Sequence, residues 1–275
     1  MPFEPPRTLS PSKVAAFGAC ALSFRFTAVE RLPEAATPWT LKGTLVHTAL
    51  ERLVWDHPPG ERSSATALAE VDRAVDELRA NGAFDELGLD PGAHAAFVDD
   101  ARRLVANARR LEDPNMLDVV GVELLLEATI GGVRVRGILD RLDRAEDGSL
   151  VVVDYKTGRA PAPAFERARL AGVHLYALLC EVVLGERPSE VRLLHLREPT
   201  VIVSRPTEPV LRAHERRTRA VWDAVNRACR TGDFRPRPSG LCGSCQFRTY
   251  CPAHGGDPSL AAVALGSRRA EAGAA

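Results

Sequence analysis

Lysine is almost absent from this sequence: of 36 basic residues, only Lys13, Lys42 and Lys156 are not Arg. Net charge is absent too, with 36 basic against 36 acidic residues, which over the whole chain argues against a non-specific polyanion binder. No apolar stretch approaches bilayer length; the nearest, around Ala171 to Leu184, is broken by His174 and Glu181. The start, Met1-Pro2-Phe3-Glu4-Pro5-Pro6, has neither a basic n-region nor an apolar h-region, so the expectation is a cytoplasmic protein without membrane contact. Internal repeats are missing, and no Gly-rich phosphate loop is present, so any helicase partner would be a separate chain. What remains is ordinary: 275 residues, 45% hydrophobic and 26% charged, enough for a globular protein with a sizeable core. Six cysteines in a reducing compartment are a poor disulfide framework, so closely spaced ones point to a metal or cluster.

The first helical pattern follows Ser10-Pro11-Ser12, where a hydroxyl cap precedes Val14, Phe17 and Cys20. Leu41, Leu45, Leu50, Leu53 and Val54 predict a helix over 41–55, ended by His57-Pro58-Pro59-Gly60. Ala- and Arg-rich helical patterns at about 64–79 and 91–111 carry no obvious chemistry and read as a helical insertion, about 64–111. From Asp118 the character changes: strands are predicted over 119–129, 133–142 and 150–154, separated by the hairpin signals Gly131-Gly132 and Asp147-Gly148. A helix over 165–184, strands over 191–196 and 200–203 and an amphipathic helix over 208–230 follow. A cysteine-rich region, 240–252, precedes a small-residue tail, 255–275, expected to be mobile.

The strongest local signal is Val151-Val152-Val153-Asp154-Tyr155-Lys156-Thr157-Gly158. An apolar strand running into Asp-Tyr-Lys places Asp154 and Lys156 on one face of a sheet at its exit. A metal-dependent phosphodiesterase needs such a pair, a carboxylate for a divalent cation and an ammonium to orient water and oppose developing phosphate charge. Gly137-Ile138-Leu139-Asp140 puts another carboxylate on the preceding strand, where Asp140 and Asp154 can converge on one cation. A surface ion pair is the competing reading of Asp-x-Lys. Against it stands the scarcity of lysine, since a compact ammonium is kept where this chain otherwise uses Arg. Gly43, His47 and Glu51 lie four apart on one helix face, so His47 can supply an imidazole, although alone it also suits a half-buried structural histidine.

Cys242-x2-Cys245-x5-Cys251 sets three thiols in a short loop, and three thiols call for a fourth ligand around iron-sulfur or zinc. Cys20, at the end of the first helix, is the preferred fourth; a zinc site using His254 is the alternative. Cys180 and Cys229 fall within apolar helical patterns and read as core.

Taken together these residues resemble the PD-(D/E)XK nuclease superfamily, in its RecB-like branch with an iron-sulfur cluster, which includes the AddB C-terminal nuclease domain and the Cas4 proteins. The resemblance runs in order through Leu9-Ser10-Pro11-Ser12 with Cys20, Gly43-x3-His47 with Glu51, Gly137-x2-Asp140, Asp154-Tyr155-Lys156-Thr157 and the three clustered cysteines. It covers about residues 8 to 252 as a single nuclease domain. It implies an α/β, restriction-endonuclease-like core, a mixed sheet flanked by helices, with N- and C-terminal segments joined by the cluster. It implies His47, Asp140, Asp154 and Lys156 as the active site and His47, Asp140, Asp154 and Tyr155 around Mg²⁺ or Mn²⁺. Cys20, Cys242, Cys245 and Cys251 would hold a 4Fe-4S cluster. One position departs from the family: Gly172 stands four residues before Tyr176 where Gln is usual, with His174 as a candidate substitute.

The expected function is a metal-dependent DNA nuclease, in exonuclease style, acting in repair or recombination. The alternatives are a Cas4-type role in CRISPR adaptation and a non-catalytic DNA-end-binding module partnering a helicase. The charge balance divides along the chain: Glu112 to Asp154 carries a net of −6, and Pro209 to Arg248 a net of +6. An acidic pocket would attract a cation, and an Arg-rich flank could hold phosphates. An ordinary solvated helix face explains those Arg residues equally well.

Overall fold

The computed structural model describes residues 3–161 and 166–261. Two compact units are present. The first comprises Met1–Ala35, Thr129–Arg136 and Ala213–Ala275, and the second Ala36–Ala128 with Gly137–Arg212.

In the first unit, helix α1 (Pro11–Ala19) starts where the sequence predicts it, with the Ser10 hydroxyl accepting the Lys13 N–H. Cys20 closes α1 and precedes a short helix α2 (Ala21–Phe24) and a π-helical turn over Arg25–Val29, neither of which the sequence pattern predicts. Phe26 packs against Phe247 and Tyr250, and Phe3 against Phe234, so aromatic pairs join the two ends of the chain. Of the stretch 255–275 expected as a tail, residues up to 261 are described, and Ala261 is fully buried; residues 262–275 lie outside the described part.

In the second unit, helix α3 (Pro38–Trp55) begins three residues earlier than the apolar pattern indicates. A Thr37–Thr40 capping box, with Pro at the first helical position, sets the start. The predicted insertion is α4 (Ser64–Ala80), a short α5 (Ala83–Leu87) and α6 (Pro91–Leu111). Their apolar faces and that of α3 form one core with Val151, Val153, Tyr155, Leu194 and Leu196, so the insertion supplies much of the layer over one face of the sheet.

That sheet is mixed and runs β1 (Asp118–Ile130), β2 (Val133–Arg144), β3 (Leu150–Lys156), β4 (Glu190–His195) and β5 (Thr200–Ser204) in spatial order. Gly131 and Gly132 both take positive φ, which a two-residue hairpin turn requires. Strand β3 pairs antiparallel to β2 and parallel to β4. The parallel step demands a crossover, supplied by helix α7 (Glu166–Leu184). Helix α8 (Glu208–Thr231) follows β5. Cys180 and Cys229 are buried, as their apolar surroundings predict.

Candidate active site

Strand β3 is central, flanked by β2 and β4, and its side chains alternate between faces. Val151, Val153 and Tyr155 enter the core built with α3, α4 and α6. Asp154 and Lys156 therefore share the opposite face at the strand's exit. Asp154 is buried and its carboxylate pairs with the Lys156 ammonium, whose side chain is 43% exposed. Burial raises the Asp154 carboxyl to about 6, with Asp140 adding to the rise and Lys156 opposing it.

The ladder between β2 and β3 reaches Arg141 opposite Val153. Beyond that pair the Asp140 carboxylate accepts the Tyr155 N–H at 2.8 Å through Oδ2. The same oxygen lies 3.4 Å from His47 Nδ1, brought there by α3. Burial alone would lower the His47 imidazole; the Asp140 hydrogen bond and the charges of Asp140 and Asp154 outweigh it and raise His47 above its ordinary value. Glu123, on β1, completes the group: one ligand atom each from His47, Glu123 and Asp140 lie within 4.8 Å of one another. Nitrogen and carboxylate oxygen donors at that spacing suit a hard divalent cation, and metal binding would displace the proton held between His47 and Asp140.

Glu123 is absent from the set predicted by sequence. Its φ of 43° lies in the left-handed region, uncommon for a residue with a Cβ, and buried positions 121 and 126 on either side break the two-residue alternation of β1. A local bend of this kind re-aims a side chain, and burial with the charges of Asp140 and Glu51 raises the Glu123 carboxyl. A glutamate within a predicted strand gives no sequence signal for this; only the bend does.

Tyr155 meets the site through its main chain. Its phenol is buried on the α3 side, bonded to Arg141, and what it offers Asp140 is its main-chain N–H. Arg141 itself is 1% exposed and also holds both oxygens of Asp143, at 2.9 and 3.0 Å, and both oxygens of Glu112, at 2.6 and 2.8 Å. Part of the acidic segment 112–154 is thus bound up in a structural cluster, while Glu123, Asp140 and Asp154 face the site.

Helix α7 closes the face of Asp154. A Cβ on Gly137 would come within 2.8 Å of Leu179 and 2.9 Å of Tyr176, so Gly137 is what lets α7 lie against β2. Burial and then the charges of Asp154, Asp140 and Glu123 keep the Tyr176 phenol strongly protonated. A Cβ on Gly172 would meet nothing within 4 Å among the described residues, so packing at that atom does not require glycine. His174 does not take that role: its Nε2 is 2.7 Å from Ser204 Oγ on β5.

In the first unit Cys20, Cys242, Cys245 and Cys251 line one cavity of about 220 Å³, together with His254. The Arg237 N–H points at Cys20 Sγ (3.5 Å) and the Ser239 N–H at Cys242 Sγ (3.3 Å), contacts that favour metal-bound sulfur. Arg216, Arg217, Arg227 and Arg230 on α8 are exposed to solvent.

Comparison with known proteins bears on these sites. A protein of Mycobacterium phage L5, the gene 69 protein, is 28% identical over 149 residues, 53% of this chain and 48% of that protein. A subunit of an ATP-dependent helicase/deoxyribonuclease from Streptococcus mutans is 28% identical over 122 residues, 42% of this chain and 11% of that subunit. The chain thus matches about half or less of the length of these relatives. A solved structure from Eubacterium rectale, provisionally assigned as an exonuclease, shares the fold at a TM-score of 0.56, with 11% identity over 87% of both chains. The family model of the PD-(D/E)XK nucleases matches residues 8–252, from the hydroxyl cap of α1 to the last clustered cysteine, and the chain belongs to the PD-(D/E)XK nuclease superfamily.

Proposed function

We propose that this protein is a metal-dependent DNA nuclease of the RecB-like branch, hydrolysing phosphodiester bonds as an exonuclease in repair or recombination. The observation that carries the reading is the convergence of His47, Glu123 and Asp140 within 4.8 Å of one another, beside the Asp154–Lys156 pair. His47, Glu123 and Asp140 would hold Mg²⁺ or Mn²⁺, with Asp154 joining on release from Lys156. The cation would supply positive charge against the charge that develops on the phosphate and would lower the pKa of a water in the site. Lys156, half-exposed at the strand exit, orients that water and opposes charge on the phosphate. Tyr155 fixes Asp140 through its N–H, and the neutral Tyr176 phenol borders the carboxylates without adding charge.

Cys20, Cys242, Cys245 and Cys251 are assigned to a 4Fe-4S cluster. All four line one cavity, which supports a shared group held by the four thiols. Anaerobically purified protein is expected to be brown with about four irons per chain; colourless, zinc-loaded protein refutes the assignment.

The reading is tested by cleavage of single-stranded and duplex DNA with Mg²⁺ or Mn²⁺, beside Asp154→Ala and Lys156→Ala. Activity surviving both substitutions overturns it. Gly172, in place of the family's Gln, favours one second reading, a DNA-end-binding module working with a helicase chain; binding without cleavage under either cation would select it.

A further inference from the structure

Lys42 has no part in the chemistry above, yet it is one of three lysines and it is firmly held. Its ammonium lies 2.6 Å from Asp100 Oδ2, and its side chain is 12% exposed. Arg197, from the segment after β4, reaches the same oxygen at 3.3 Å, and Arg103 takes the other oxygen. Three cations on one carboxylate leave a local surplus of positive charge. In the middle of it stands Trp39, 69% exposed. Lys42 Nζ is 5.6 Å and the Arg197 guanidinium 5.7 Å from the centre of its ring, so two cations rim an indole that otherwise faces water.

The position of that ring matters as much as its surroundings. Trp39, Gly43 and His47 are four apart along α3 and lie on one helix face. At 1.5 Å per residue, the ring stands about 12 Å along the helix from His47, the span of about three to four stacked nucleotides. Between them a Cβ on Gly43 would meet only Thr157 Oγ1, at 3.8 Å, so packing does not require glycine there and the surface stays open to a chain passing over it.

We propose that Trp39, rimmed by Lys42 and Arg197, is a stacking platform for an unpaired base, and that a single DNA strand runs along α3 from Trp39 over Gly43 to the cation site at His47. An exposed aromatic face flanked by fixed cations is the chemistry that binds single strands with little sequence preference: the ring takes a base and the cations take the backbone. A base inside a duplex has both faces taken by its neighbours, and a blunt end offers one pair face rather than a run of free bases, so the platform favours an unpaired strand. The proposal rests on the nuclease reading above and names the substrate form for that site.

The test uses the full chain carrying Asp154→Asn, so that the strand is held without being cut, with Mg²⁺ and a fluorescein-labelled oligonucleotide, either single-stranded or as a blunt duplex. In that background Trp39→Ala is expected to weaken single-strand binding about tenfold and Trp39→Phe about twofold, with the blunt duplex changed less than twofold. Indole fluorescence should be quenched by the single strand, and most of the quench should vanish with Trp39→Ala although Trp55 and Trp222 remain. Thermal unfolding should not shift, because the ring is exposed. Unchanged affinity and quench overturn the platform, and leave Trp39 as a contact for another protein. An equal loss for single strand and duplex overturns it too, in favour of a general charged surface. Cleavage by the unsubstituted chain separates the two readings: cutting with an inert Trp39 defeats only the platform, whereas neither cutting nor binding defeats the nuclease assignment and the platform together.

Discussion

Two charged clusters lie on the two faces of the same pair of strands, and they are built on opposite principles. On the α3 face, Arg141 is buried with Glu112, Asp143 and Tyr155, and each of the three partners bonds to the guanidinium. On the opposite face, at the exit of β3, Asp154 and Asp140 are crowded with Glu123 from β1, His47 carried in by α3 and a single half-exposed Lys156, and the proton affinities of Asp154, Glu123 and His47 are displaced by burial and by neighbouring charges. In the first cluster every charged group is hydrogen-bonded to the guanidinium or is the guanidinium itself. The second holds excess negative charge that a divalent cation would relieve. A buried ionic group with its hydrogen bonds met is a structural device, whereas one left with unrelieved charge is a candidate binding site.

The largest test of this contrast exchanges the phenotypes. Asp154→Ala is expected to lower cleavage by about a thousandfold or more, as loss of the carboxylate and water-positioning machinery does, with little loss of stability. Arg141→Met should do the reverse in kind. By leaving the buried Asp143 beside Glu112 without their shared cation it should cost about 3–5 kcal/mol, read by urea unfolding.

A smaller effect follows from the raised Asp154 carboxyl. Between its unfolded value near 3.8 and about 6, the folded metal-free protein keeps a proton that the unfolded chain has released. This group's contribution therefore falls as pH rises through that window, by up to about 3 kcal/mol. Without divalent ions at pH 8, Asp154→Asn should melt several degrees above the unsubstituted protein, and at pH 4 the two should coincide. A variant that melts lower at pH 8 would mean that the pairing with Lys156 outweighs burial.

Two glycines give the smallest effects, in opposite directions. Gly137→Ala should cost about 1–3 kcal/mol, because its methyl has no room against Tyr176 and Leu179. Gly172→Gln has clearance at its Cβ and removes a glycine from a helix, so it should stabilise by about 0.5–1 kcal/mol and raise the cleavage rate if the amide serves as in the family. A fall in melting temperature for Gly172→Gln would show that α7 packs more tightly there than the contacts indicate.

Most elements were legible because their signals are local. The helices over 64–80 and 91–111 follow from apolar spacing, and the hairpin at Gly131-Gly132 from the need for two positive φ values. The start of α3 escaped the apolar pattern because it is set by a cap at Thr37, outside the apolar run. Asp140, Asp154, Lys156 and His47 were legible as chemistry at short spacing; Glu123 was not, since a bend in β1 aims it and the sequence reads there as plain strand. Tyr155 was legible as a position; the alternation of β3 sends its phenol to Arg141, while its main-chain N–H meets Asp140.

By itself the sequence determined which groups are available and the order of the elements that carry them: the Asp-x-Lys strand, the clustered cysteines, the capped helices and the alternation that separates Asp154 from Tyr155. Those follow from periods of two and 3.6 residues and from the chemistry of individual side chains. The tertiary structure decided which charges are compensated. Ion pairing and burial depend on distances between residues far apart in the chain, so Glu112 ended with Arg141, Glu123 with His47 and Asp140, and Lys42 with Asp100. The zero net charge is therefore the sum of clusters that differ in kind: one hydrogen-bonded throughout around Arg141, one left negative beside Lys156, and one left positive around Trp39.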